Sequence, residues 1–231
     1  MSQKRRPKTT KIQIIQVATR MFLERGYTDT SIKAISDQLG ISTGNLTFYF
    51  PAKEHLLAVL VEMLCDFQWK LMERNVDEGN SSLMAMCLEL PAMAAICEEN
   101  DVARDFYLSA YRSVMSLDII RQNDTLKAKR VMGPYCPGWS HGDFVEAEIL
   151  LSGIEYATLM TTSQSPPLHE RIAGALEAIL TIFHVPAEIR TPMIQKVLSM
   201  DHRSIGRQIL QEFMGYIERT NEQVLEDLLR S

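Results

Sequence analysis

The sequence predicts an all-α protein, with a small N-terminal three-helix domain of helix-turn-helix layout followed by a larger helical domain. Three observations predict it. Apolar residues recur three and four positions apart along most of the 231 residues, and no stretch alternates as a strand would. Two short helical patterns near the N-terminus are separated by a glycine-bearing turn. Charge is also divided. Residues 1–53 carry nine Lys or Arg against three acids, and the remainder carries fifteen against twenty-six, within a formal net charge of -5. The boundary is therefore drawn as 1–53, a basic arm and helix-turn-helix, and 54–231, the larger domain.

Thr9 and Thr10 offer capping hydroxyls to a first helix. Ile15, Ala18 and Phe22 mark its inward side, and Gly26 can close it in the left-handed conformation. Thr30 or Ser31 caps a second helix facing inward with Ile32, Ile35 and Leu39 and stopped by Gly40. Ser42 caps a third, from Thr43 to about Tyr49, and Pro51 precedes a fourth from Lys53 to about Asn75. Breaks at proline, glycine and asparagine then divide the rest into helices over 81–98 (kinked or split at Pro91), 101–121, 124–132, 143–163, 168–184, 188–199 and 202–229.

Several classes are disfavoured. The N-terminus is basic and polar with no apolar segment behind it, so export is not expected, and no window is apolar enough for a membrane span. Cys65, Cys87, Cys97 and Cys136 are too widely spaced for a disulfide framework and suit a reduced cytoplasm. Cys136, in a Gly- and Pro-rich loop, is open to a redox role or to being a bystander. No phosphate-cradling glycine loop, nucleophile elbow or zinc-protease motif is present, and the five histidines lack metal-ligand spacing with one another, so neither enzyme activity nor a bound cofactor is expected.

The third helix separates its residues by side. Ile41, Leu46 and Phe50 can pack on Phe22, Ile35 and Leu39, which leaves Thr43, Gly44, Asn45, Thr47 and Phe48 free to meet the edges of base pairs in a major groove. Asn45 can pair bidentately with adenine, Thr47 can touch a thymine methyl, and Gly44 permits close approach. Lys33 can reach a base or a phosphate. Ser31 and Ser42 stand at helix N-termini, which suit a phosphate oxygen, although capping alone also explains them.

Residues 10–57 resemble the tetracycline-repressor (TetR) family. The likeness rests on Ala18 to Tyr27 with its closing Gly26-Tyr27, on Thr30-Ser31-Ile32 to Ile35, and above all on Gly40-Ile41-Ser42-Thr43-Gly44-Asn45-Leu46 through Tyr49-Phe50 to Lys53 and Leu57. Thr47 stands where the family usually has tyrosine, and Ser36 takes the place of the small residue after Ile35, so the base-reading surface departs from its relatives. The resemblance implies a cytoplasmic regulator of transcription, most simply a repressor, that binds palindromic double-stranded operator DNA as a homodimer and is released by a small-molecule effector. Tyr49 and Lys53 resemble family residues that bind phosphate oxygens. The basic run Lys4 to Lys8 is either a minor-groove arm or a solvated tail.

Segments 143–163 and 168–184 are apolar on more than one side and carry small residues at Gly153, Ala157, Gly174, Ala175 and Ala178, a pattern expected of a two-fold four-helix interface. By resemblance, an effector cavity is expected among Trp69, Met84, Met86, Phe106, Tyr107, Tyr111, Met115 and Tyr156, with Tyr hydroxyls and Glu155 orienting the ligand. Ordinary core packing is the alternative for each of them. Two other functions share the scaffold: a helical sensor that no longer grips DNA, and an activator.

Overall fold

The computed structural model describes residues 11–77 and 81–230. The expected arm from Lys4 to Lys8 and the caps Thr9 and Thr10 lie outside the described residues. Among those described, all regular structure is helical. Helix α1 (Lys11–Arg25), α2 (Ile32–Leu39) and α3 (Thr43–Tyr49) form the N-terminal unit, and α4 (Lys53–Asp77) leads into the larger one. There α5 (Ser82–Glu99), α6 (Asp101–Arg112), α7 (Val114–Met132), α8 (His141–Leu159), α9 (Leu168–Ile182), α10 (Ala187–Leu198), α11 (His202–Arg219) and α12 (Glu222–Leu228) follow. A single 3-10 turn, Gly133–Tyr135, joins α7 to the loop before α8.

The N-terminal unit folds around Ile14, Ile15, Phe22, Ile35 and Leu46, all fully buried, each contributing roughly 1.5–3 kcal/mol by removal from water. In the larger unit α5 is central, packed against α4, α6, α9 and α11. Its approach to α11 is close enough that a Cβ on Gly206 would lie 2.7 Å from the Ala92 carbonyl oxygen, so only glycine fits there. Helix α7 lies between α4 and α8, and α8 packs on α9.

Three boundaries differ from the sequence expectation, each for a local reason. Helix α6 ends at Arg112 rather than near residue 121, because Ser113 turns extended and its hydroxyl accepts from the Ser116 amide to cap α7. Helix α7 runs through Asn123, whose amide folds back to donate to the Ile119 carbonyl at 3.1 Å. A lone asparagine costs a helix only about 0.7 kcal/mol relative to alanine, which packing on α4 and α8 outweighs. The expected 202–229 helix is divided at Thr220, and Asn221 caps α12 by accepting from the Val224 amide at 3.0 Å. Pro91 interrupts no element: α5 continues through it with the ring buried.

Candidate DNA interface and effector cavity

The α2-turn-α3 unit is assembled by local chemistry. Ser31 accepts from the Ala34 amide at 3.1 Å and Ser42 from the Asn45 amide at 3.2 Å, so both hydroxyls act as caps. Gly40 ends α2 at φ 66, a left-handed conformation that disfavours side chains, and the Ile41 amide then donates to the Ser36 carbonyl at 3.1 Å. This tight closure sets α3 across the domain with Leu46 and Phe50 buried.

The opposite side of α3 faces outward. Ser42, Thr43, Gly44 and Asn45 are exposed, Thr47 and Tyr49 are half-buried, and Phe48 is 81% exposed, edge-on to Tyr49 with ring centroids 5.3 Å apart. Thr47 donates to the Gly44 carbonyl at 3.3 Å. Lys33 is exposed and paired with Asp37 at 2.6 Å. Lys53 opens α4 half-buried: its ammonium donates to the Tyr27 carbonyl at 2.8 Å and stands 4.1 Å above the Tyr27 ring. Burial, with Glu54 and Asp105 nearby, pushes the Tyr27 phenol up to about 12, so it stays neutral beneath the lysine.

Specific contacts tie this domain to the rest. Asp105 of α6 accepts from the Thr28 amide at 2.8 Å and from the Thr28 hydroxyl. Gln16 of α1 donates to the carbonyls of Ile217, Glu218 and Thr220 at the end of α11, and the Ile12 amide donates to Glu222 of α12 at 3.0 Å. A shift of α6 or α11 would therefore carry the helix-turn-helix with it. Nothing in the sequence singled out Asp105, because its partner is 77 residues away.

The residues expected around an effector are dispersed. Phe106 and Met84 are deep in the core, and Tyr107 is buried edge-on against Phe106. Trp69 is half-buried beneath Arg130, Met115 is exposed at the start of α7, and Tyr156 accepts from Arg112 at 3.1 Å. Tyr107 and Tyr111 line one narrow void with Gln68, Asp124 and Glu155, and Tyr111 donates to Glu155 at 2.8 Å. Met86 lines a second with Lys127 and Glu148. Each void measures about 30 Å³, room for a water or an ion. A larger groove of about 420 Å³ opens between α4, α5 and α11, lined by Gln68, Leu71, Met72, Leu88, Ile205 and Ile209 among others. Glu89 borders the groove and both voids.

Around the voids lies a buried charged cluster that periodicity alone did not flag. Lys127, 1% exposed, donates to Glu89 at 2.9 Å and to Asp124 at 3.1 Å. Glu148, also 1% exposed, has no hydrogen-bond partner on either carboxylate oxygen. Burial, with Asp124 and Glu155 beside it, holds its carboxyl well above the usual carboxylate range, and burial with Asp124 does the same to Glu155. One sequence signal existed: Glu148 and Glu155 share the spacing of Phe144 and Leu151 on the inward side of α8. All four cysteines are buried, and Cys136 donates its thiol to the Phe183 carbonyl at 3.1 Å. Burial raises that thiol's pKa, contrary to the thiolate character a redox sensor needs.

Residues 14–60 match the model of the bacterial regulatory proteins of the tetR family. The likeness to that family covers this segment, 47 of the 231 residues. Curated HTH-type regulators are similar over part of the chain. The HTH-type transcriptional regulator HbdR of Aromatoleum sp. (strain CIB) is 32% identical over 105 residues, 46% of this chain and 44% of that one. The HTH-type transcriptional repressor KstR2 of Mycolicibacterium smegmatis is 27% identical over 77 residues, 33% and 38% of the two chains. The chain thus spans less than half the length of these relatives. Among solved structures, a gamma-butyrolactone receptor (ArpA-like protein) superposes with a TM-score of 0.45 at 22% identity, covering 86% of this chain and 95% of that one. AmtR of Mycobacterium smegmatis gives 0.40 at 20%, covering 86% and 99%. Among the described residues no helix is long and apolar enough to cross a membrane.

Proposed function

We propose that this protein is a TetR-family regulator that represses transcription by binding a palindromic operator as a homodimer and releases it when a small molecule enters the larger domain. The observation that carries the reading is Phe48, an almost fully exposed aromatic on a short helix whose other side is completely buried. A fold gains nothing by leaving that ring in water. A major groove offers it thymine methyls, next to which Thr43, Asn45 and Thr47 supply donors and acceptors for base edges. Lys53 and Tyr49, at the junction of α3 and α4, supply backbone contacts, with Ser31, Ser42 and Lys33 flanking them.

Dimerisation is supported by the free side of α8 and α9. Ile149 and Leu150 are 49% and 54% exposed, Val145 and Met160 also reach solvent, and Gly153 and Gly174 have nothing within 4 Å of a Cβ position. Such an apolar, small-residue surface is unfavourable in water and fits a two-fold copy of itself. The groove beside α11, with Gln68, Tyr107 and Tyr111 leading inward, is of a size for a small, largely apolar effector. Filling it would displace α11 or α6, and Gln16 and Asp105 would pass that displacement to the helix-turn-helix.

Selection from a random duplex library tests the reading. Recovery of an inverted repeat with half-sites about 10 base pairs apart, or a multiple of that, supports it. Recovery of no common sequence overturns it.

A further inference from the structure

We propose that Asp124 of α7 and Glu148 and Glu155 of α8 form a site for one oxygen-preferring divalent cation, seated at the contact between those two helices. The three residues each offer a carboxylate oxygen within 4.8 Å of the others. An ion at their centre need be no farther than about 2.8 Å from any of them, close to the roughly 2.3–2.6 Å of calcium-oxygen bonds and within a small side-chain adjustment of manganese.

Acidic clusters are common, but this one has a second feature. Glu148 is buried with both oxygens unpartnered while it lines the void that the cluster encloses. A buried polar group left without a partner costs roughly 1–3 kcal/mol. Nearby donors are already engaged elsewhere: Lys127 with Glu89 and Asp124, Arg121 with Ser152, and Tyr111 with Glu155. Four carboxyl groups therefore crowd one buried ammonium. A divalent ion would displace the protons that burial keeps on Glu148 and Glu155 and give Glu148 the partner it lacks.

The donor set defines the class of ion. Three carboxylates, with neither thiolate nor imidazole in the cluster, suit magnesium, calcium or manganese rather than zinc or copper. The size of the void agrees, since about 30 Å³ admits an ion with a water and excludes an organic amine of any length. Because α8 also carries the surface proposed for dimerisation, an ion drawing α7 and α8 together would act close to that interface. The site itself does not depend on the DNA-binding reading.

The test uses the full chain, stripped with chelator and titrated with Mn²⁺. Free ion is followed by electron paramagnetic resonance and unfolding by calorimetry. One ion per chain is expected, with a higher unfolding temperature in its presence. Glu148→Gln and Glu155→Gln should each weaken binding at least tenfold, whereas Glu146→Gln, on the exposed side of α8, should leave it unchanged. Circular dichroism confirms that each variant is folded. Absence of a stoichiometric ion on the folded wild-type chain overturns the proposal. So does equal binding by Glu148→Gln, or binding of Zn²⁺ with no measurable affinity for Mn²⁺.

Discussion

Replacing Glu148 by glutamine should stabilise the metal-free protein, and the gain should grow with pH. In the fold the Glu148 carboxyl is buried beside Asp124 and Glu155 and keeps its proton well above pH 4.5, the value of an ordinary glutamate. A raised acid contributes its full stability below the unfolded pKa. It loses that stability as pH rises toward the folded one, because the unfolded chain ionises while the folded chain stays protonated. The loss is about 1.4 kcal/mol per pH unit, so at pH 7, two and a half units above 4.5, it reaches about 3.5 kcal/mol. Glutamine keeps the shape and never titrates, and should recover most of that amount. For a chain of this length about 3.5 kcal/mol corresponds to roughly 7–14 °C in Tm, whereas at pH 5 the difference should be about 2–3 °C. The assay is thermal and urea unfolding of both proteins in chelator, at equal concentration, from pH 5 to pH 8. A gain of the same size at every pH, or a less stable variant at pH 7, would refute the reasoning.

Lys127→Met removes the ammonium bonded to Glu89 and should cost about 3–5 kcal/mol in urea unfolding, with part of the loss restored by adding Glu89→Gln. Leu150→Asp places a charge on the free side of α8, where it disturbs no packing within the protomer; light scattering at micromolar concentration should show a monomer with unchanged circular dichroism. Asp105→Ala leaves the Thr28 amide and hydroxyl without their acceptor and should cost about 1 kcal/mol, with faster hydrogen exchange confined to the turn between α1 and α2.

The N-terminal domain was legible almost residue by residue because its signals are local. Ser31, Gly40 and Ser42 act within four residues of themselves, and the apolar spacing of Ile15, Ala18 and Phe22 states directly which side is buried. The larger domain was legible as helices but not as a site. Its boundaries turned on Ser113, Asn123 and Thr220, residues that either continue or end a helix according to what packs on them. Aromatic and methionine content pointed toward Phe106, Trp69 and Met115, yet large apolar side chains fill cores as readily as they line cavities, and Phe106 does the former. The polar residues that border the voids, Gln68, Glu89, Asp124 and Lys127, come from helices far apart in sequence, so no spacing could reveal them. Dimerisation was inferred from an excess of apolar surface on the segments that became α8 and α9, and Ile149 and Leu150 do reach solvent in the protomer.

The central claim is that the outer side of α3 reads bases while Lys53 attends to the phosphate backbone. Binding of the selected palindrome and of a scrambled duplex, measured by fluorescence anisotropy across a salt series, tests it most directly. Asn45→Ala should lower the preference for the palindrome by about 1–3 kcal/mol with the salt slope unchanged, and Lys53→Ala should weaken both duplexes alike and reduce the slope by about 1. An Asn45→Ala protein that discriminates between the two duplexes as well as the wild type does would contradict the claim.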